Sequence, residues 1–125
     1  MASEIPLYAA SAILVIWGLS HLAFGTRGVV DGFGDISRDN RRVITMEWIA
    51  EGIALIAIAA FVTVATILDT AASVATGVYA VAIVTLVVMA VVSLFTGFRI
   101  AYLPYRLCPA IFGLAAILIG AGAWL

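Results

Sequence analysis

The chain contains no lysine; all six of its basic residues are arginine. Charged residues of both signs make up only 10% of the sequence, against about 25% in soluble domains. No basic patch is present on which nucleic-acid binding could rest. A single cysteine, Cys108, excludes an intrachain disulfide and a CxxC redox pair. Taken alone, it reads as a small apolar residue near a helix start. A single histidine, His21, excludes a haem held between two histidines of one chain. Gly32-Phe33-Gly34 follows no strand and lacks the spacing of a nucleotide loop. No internal repeat is visible, so an inverted-repeat transporter within one chain is not supported. The first residues carry no basic stretch, so residues 6–25 are read as a retained span rather than a cleaved leader.

What the chain does have is long apolar runs. Two thirds of it (66%) is hydrophobic, concentrated at residues 6–25, 43–68, 74–97 and 107–125. Each run approaches the roughly 20 residues that cross a bilayer as a helix. The expected fold is therefore all-α: an integral membrane bundle of four transmembrane helices, forming one domain over residues 1–125. Arg27, Arg38, Arg41 and Arg42 fall between the first two runs, and Arg99 and Arg106 between the last two. The other side carries only Glu4 and Asp69. The positive-inside rule then places both Arg-bearing connectors in the cytoplasm and both termini outside, in a multi-pass protein of the cell membrane.

The connectors differ in kind. Asp69 to Ser73 is short, so the second and third runs should form an antiparallel hairpin. Thr26 to Arg42 is longer, and Gly25, Gly28, Gly32 and Gly34 mark it as flexible. Asp35, Ser37 and Asp39 are candidate N-caps for a helix that begins before the membrane. Pro104 and Pro109 bracket the start of the fourth span, with Pro109 suited to a first turn. Ala50, Ala54 and Ala57, and Ala116, Gly120 and Ala121, offer small-residue faces for helix packing. They point to a homo-oligomer, a dimer or trimer.

Polar side chains converge at one end of this bundle. His21 lies one turn from the end of the first run, and Glu47 and Glu51 lie one and two turns into the second. Arg99, Tyr102 and Arg106 lie where the third run leaves and the fourth begins. Glu47 and Glu51 share a helix face at i,i+4, where like charges repel. They therefore need a partner, and topology offers Arg99 and Arg106. Carboxylates inside a span are rare and tend to be functional. Glu47 and Glu51 are thus the candidate catalytic residues. His21, Trp17, Trp48, Arg99, Tyr102 and Arg106 are the candidate ligand-binding residues, with Met46 adding to an apolar wall. Glu51 lies about 6 Å deeper than Glu47 at 1.5 Å per residue, so it should be the more desolvated. A metal centre is not expected: His21, Glu47 and Glu51 are suitable ligand types, but they come from two helices without His-rich spacing. The remaining aromatics fit interfacial belts. Thr63, Thr66, Thr85, Ser93 and Thr96 should bond their own helix backbone or a neighbouring helix.

The stretch Trp17-Gly-Leu-Ser-His21-Leu-Ala-Phe-Gly-Thr-Arg-Gly28 resembles the end of the first span in DoxX-like small membrane proteins. That resemblance implies a four-helix membrane protein of about this length and, for some members, association with quinone-linked redox complexes. Arg99-Ile-Ala-Tyr102, with Pro104 and Arg106, is similar to the microsomal glutathione-transferase type of four-helix trimer. No catalytic residue is taken from either. The leading expectation is a cytoplasm-facing polar pocket, built on Glu47 and Glu51, that binds a lipidic or quinone-like molecule, with its conversion left open; no cofactor is identifiable. A proton-coupled small-solute transporter acting as an oligomer, and a non-catalytic subunit of a membrane complex, are the alternatives. A third alternative confines Glu47 and Glu51 to structural ion pairing with Arg99 and Arg106.

Overall fold

The computed structural model of the chain describes residues 4–125, apart from the side chains of residues 24–26. The reading of residues 1–3 and the side chains of Phe24 and Thr26 in the motif at 17–28 lie outside the described residues. Helix α1 runs Glu4–Ser20 and passes through a π-helical turn, His21–Gly25, into α2, Thr26–Gly32. The long α3 covers Arg38–Asp69 and α4 covers Ser73–Phe95. A 3₁₀ turn, Gly97–Arg99, leads to α5, Leu103–Trp124. No strand occurs among the described residues. Four segments are long and apolar enough to cross a membrane: Glu4–Ala23, Arg38–Asp69, Ser73–Arg99 and Leu103–Trp124. They coincide with the four apolar runs.

Two local expectations need correction. The connector after the first span is not simply flexible, because Thr26–Gly32 is helical. The helix ends at Gly32, and Gly34 just beyond it has a φ of +67°, a left-handed value that suits glycine. Pro104, not Pro109, occupies the first turn of α5, and Pro109 lies inside the helix. Other local signals hold. Ser37 is the N-cap of α3, its hydroxyl accepting from the Asn40 amide at 3.2 Å. The 32 residues of α3 measure about 48 Å at 1.5 Å per residue. That is longer than the roughly 30 Å needed to cross a bilayer core, and the polar residues 38–42 occupy its first turn. Thr66, Thr85 and Thr96 each bond the carbonyl four residues back.

The long helices form a four-membered ring. α1 packs on α3 and α5, and α4 packs on α5 and α3; backbones do not approach across either diagonal. Leu7 and Leu14 of α1, Leu55 and Val62 of α3, Tyr79 and Leu86 of α4, and Phe112 and Ile119 of α5 fill the centre and are fully buried. Glycine sets the closest approaches. A Cβ on Gly18 would sit 2.7 Å from the Gly52 carbonyl oxygen, and one on Gly52 would sit 2.9 Å from the Gly18 carbonyl oxygen. α1 and α3 therefore touch backbone to backbone at that level. Near the other end, Gly122 receives Leu7, which brings α5 against α1.

A buried polar pair tests the packing at the end of the α3–α4 hairpin. Thr66 Oγ1 donates to the Val62 carbonyl at 2.7 Å and lies 3.0 Å from the Tyr79 hydroxyl. Thr66→Val should leave that hydroxyl buried without its partner. Tyr79→Phe removes the hydroxyl itself, while Thr66 keeps its backbone bond. Thr66→Val should therefore lower stability by about 0.6 to 1.7 kcal/mol, the range for polar contacts between membrane helices. Tyr79→Phe should be close to neutral. Equal losses in steric-trap or thermal unfolding would contradict this asymmetry.

Candidate functional site

The glycine crossing is what brings the polar groups together. Gly18 lies one turn before His21, and Gly52 follows Glu51, so the close approach of α1 and α3 places imidazole beside carboxylate. His21 also opens the π turn, a local widening of the helix that is frequent at functional sites. Its Nδ1 lies 2.8 Å from the Trp17 carbonyl oxygen. A carbonyl only accepts, so Nδ1 carries a proton and Nε2 faces Glu51, with Nε2 to Oε1 at 3.8 Å. His21 is 2% exposed, whereas the Glu51 side chain is 31% exposed. The carboxylate thus links a buried ring to open space.

Aromatic rings hold the imidazole. Trp48 stacks on His21 with centroids 4.3 Å apart and planes inclined by 20°, and Trp17 meets its edge at 5.7 Å. Trp48 in turn meets Tyr105 edge-on at 5.4 Å, and Tyr105 meets Tyr102 at 6.1 Å. α5 supplies a third donor. Cys108 is buried, and donor atoms of His21, Glu51 and Cys108 all lie within 4.8 Å of one another. Pro109 removes the amide that would otherwise bond the Tyr105 carbonyl, in the turn that carries Cys108.

Two members of this cluster, Glu51 and Cys108, line a cleft of about 470 Å³ together with Trp48, Met89, Val92 and Tyr105. A smaller cavity of about 180 Å³, bounded by Trp17, Ser20, His21 and Tyr102, lies on the other side of the His21–Trp48 stack. The indole N–H groups of Trp17 and Trp48 are both buried without an ordinary hydrogen-bond acceptor among the described residues. A buried donor without an acceptor is unfavourable, and the Trp48 side chain lines the cleft.

The structure keeps some of the expected site residues and displaces others. Glu51, His21, Trp17 and Trp48 come together. Glu47 does not join them: it is exposed, and it shares only a shallow outer groove with Glu51. The expected partners of the carboxylates are also corrected. Among the described residues no ion pair joins Arg99 or Arg106 to Glu47 or Glu51; the basic partner of Glu51 is His21. Both arginines are exposed. The Arg106 guanidinium lies over the Phe98 ring, 5.5 Å from its centroid. The 3₁₀ turn and the Leu103 start of α5 hold them at the rim. Tyr102 stands at the edge, its hydroxyl against Gly28 of α2.

Two residues beside the site, Cys108 and Tyr105, are not among the expected site residues: Cys108 reads in the sequence as a small apolar residue and Tyr105 as part of an interfacial aromatic belt. A signal for Cys108 exists. It lies within two turns of Pro104, at the end of the bundle where the other polar residues gather. A lone cysteine in an apolar run nonetheless resembles any other small core residue. No family model, curated protein or solved structure matches the chain.

Proposed function

We propose that the chain is an integral membrane protein of four transmembrane helices whose cleft beside Glu51 binds a lipidic or quinone-like molecule drawn from the bilayer. The outer surface supports the membrane reading. Phe61, Ile67, Val81, Phe95 and Ile117 are each about two thirds exposed, and a soluble monomer rarely presents apolar surface on that scale. The arginines gather at one end of the bundle, which supports cytoplasmic placement of that end.

The observation that carries the ligand reading is Glu51, backed by the buried His21, in the lining of a largely apolar cleft that Trp48 and Tyr105 also wall. Ligand sites are commonly apolar clefts of about 300–1,000 Å³ with a few convergent polar groups. The exposed Val88 and Val92 of α4 form one lip, so the cleft opens on the apolar flank of the bundle. An acyl or isoprenoid chain suits that lip. A ring oxygen suits the Glu51 carboxyl, the group of the pair that lines the cleft. Beyond the cleft the bundle is closed by Leu14, Leu55, Leu86 and Phe112, all fully buried. That closed half favours a one-sided pocket over a path through the bundle.

Titration of the purified protein in lipid nanodiscs with a short-chain benzoquinone tests the ligand reading. Tryptophan emission should be quenched with a saturable component of one site per chain. Quenching that only follows the quinone partitioned into lipid would contradict it. The orientation has its own test. In a Cys108→Ser background, cysteines placed at Gly28 and at Ser73 should label from opposite faces of the membrane. Labelling of both from one face would reject the proposed topology.

A further inference from the structure

We propose that His21, Glu51 and Cys108 form a site for one zinc-class divalent metal ion, with an open coordination position facing the cleft. The inference shares two residues with the ligand reading but does not rest on it, because metal uptake is measured with no quinone present. The three donors come from three different elements: the π turn after α1, then α3, then α5. Zinc bonds of about 2.0–2.3 Å to nitrogen, oxygen and sulfur place tetrahedral ligands about 3.3–3.7 Å apart. His21 Nε2 and Glu51 Oε1 already stand at 3.8 Å. The full set lies within 4.8 Å, a gap that small side-chain rotations close.

Chemistry supports the same assignment. The bond from Nδ1–H to the Trp17 carbonyl puts the proton on the far nitrogen and aims Nε2 into the cluster. Metal-binding histidines are typically held in this way, by a carbonyl that fixes the tautomer. One thiolate, one carboxylate and a neutral imidazole also balance a divalent charge, so the loaded site is neutral. That matters in surroundings made of Trp17, Trp48 and Met89 rather than of counter-ions. On loading, the S–H bond of Cys108 breaks, its proton leaves to solvent, and the sulfur bonds the metal; no electron is transferred. A thiolate and an imidazole disfavour calcium and magnesium, which prefer oxygen. Three protein ligands and one open position is the pattern of catalytic rather than structural zinc.

The test uses the full chain in detergent or nanodiscs, stripped with chelator and then exposed to Zn²⁺ or Co²⁺. One ion per chain should be retained after exchange into metal-free buffer. The Co²⁺ form should show a thiolate-to-cobalt charge-transfer band and the intense visible bands of tetrahedral coordination. Loss of a mere hydrogen-bond partner weakens metal sites by roughly 10–100-fold. Cys108→Ser, His21→Gln and Glu51→Gln should each weaken binding by more than that, while Asp69→Asn at the far end of α3 should not. Should a variant fail to fold, the unmutated chain still decides. Cys108 is its only thiol, and Zn²⁺ should slow modification of that thiol by a membrane-permeant maleimide. No retained ion, no thiolate band, equal retention by all three variants, or an unchanged maleimide rate would each overturn the proposal.

Discussion

Glu51→Gln should abolish saturable quinone binding while leaving the bundle folded. Glutamine keeps the shape of the side chain and removes its charge. Breaking a buried ion pair typically lowers stability by about 3–5 kcal/mol, because the remaining charge is stranded. Here the partner is His21 rather than an arginine. A guanidinium cannot give up its proton, whereas an imidazole can sit neutral with Nδ1–H still bonded to Trp17. Glu51 is also about a third exposed, which weakens its electrostatic contribution further. The expected stability change is therefore within about 1 kcal/mol, well below the value for a stranded charge. Glu47→Gln, on the exposed side of α3, should affect binding far less. Thermal unfolding and the quinone titration of the same sample separate the roles. A large fall in melting temperature with binding retained would make Glu51 a structural residue. Unchanged melting with unchanged binding would give it neither role.

Gly52→Ala should have a large structural effect for a single methyl addition beside the site. The new Cβ would lie 2.9 Å from the Gly18 carbonyl oxygen, 3.0 Å from His21 Cβ and 3.2 Å from Leu22 Cδ2. The first of these is backbone and cannot swing aside, so α1 and α3 must separate. Alanine is the better helix former by about 1 kcal/mol, but overpacking a close crossing typically destabilises by about 1–3 kcal/mol. The net expectation is a loss of stability together with a wider gap between His21 and Glu51. Quinone binding should weaken more than stability alone explains, since the crossing sets the position of both residues. Gly77→Ala in α4 is the internal comparison: its Cβ would meet nothing within 4 Å, so helix propensity should make it neutral or stabilising. Equal behaviour of the two variants in unfolding and binding assays would show that the crossing is not tight.

Much of the fold was legible because the apolar runs are long and the charges sparse. Four runs of membrane-crossing length, a five-residue turn and one-sided arginines leave few arrangements open. The site was half legible. Polar residues in apolar surroundings pointed to His21 and Glu51. Spacing alone could not show which way Glu47 faces: i,i+4 puts both carboxylates on a broad stripe, and rotation of α3 decides that only Glu51 turns inward. The arginine pairing failed for a related reason. Proximity along the topology says nothing about the 3₁₀ turn at Gly97–Arg99, which leaves Arg99 exposed at the rim. Cys108 required tertiary information, because α3 and α5 stand on a diagonal of the ring and only side chains span it. Pro109 misled in the same way. Two prolines five residues apart both suit a helix start, and the helix begins at the first.

The central claim is that Glu51 faces a ligand in a cleft that opens to lipid. An experimental structure of the chain in nanodiscs, prepared with the short-chain benzoquinone, tests it most directly. The account predicts density in the cleft between Trp48 and Tyr105, its polar head within hydrogen-bond reach of Glu51 or His21, or joined to them through an ion shared with Cys108. A cleft holding only acyl chains, with Glu51 paired to an arginine of a neighbouring chain, would contradict it.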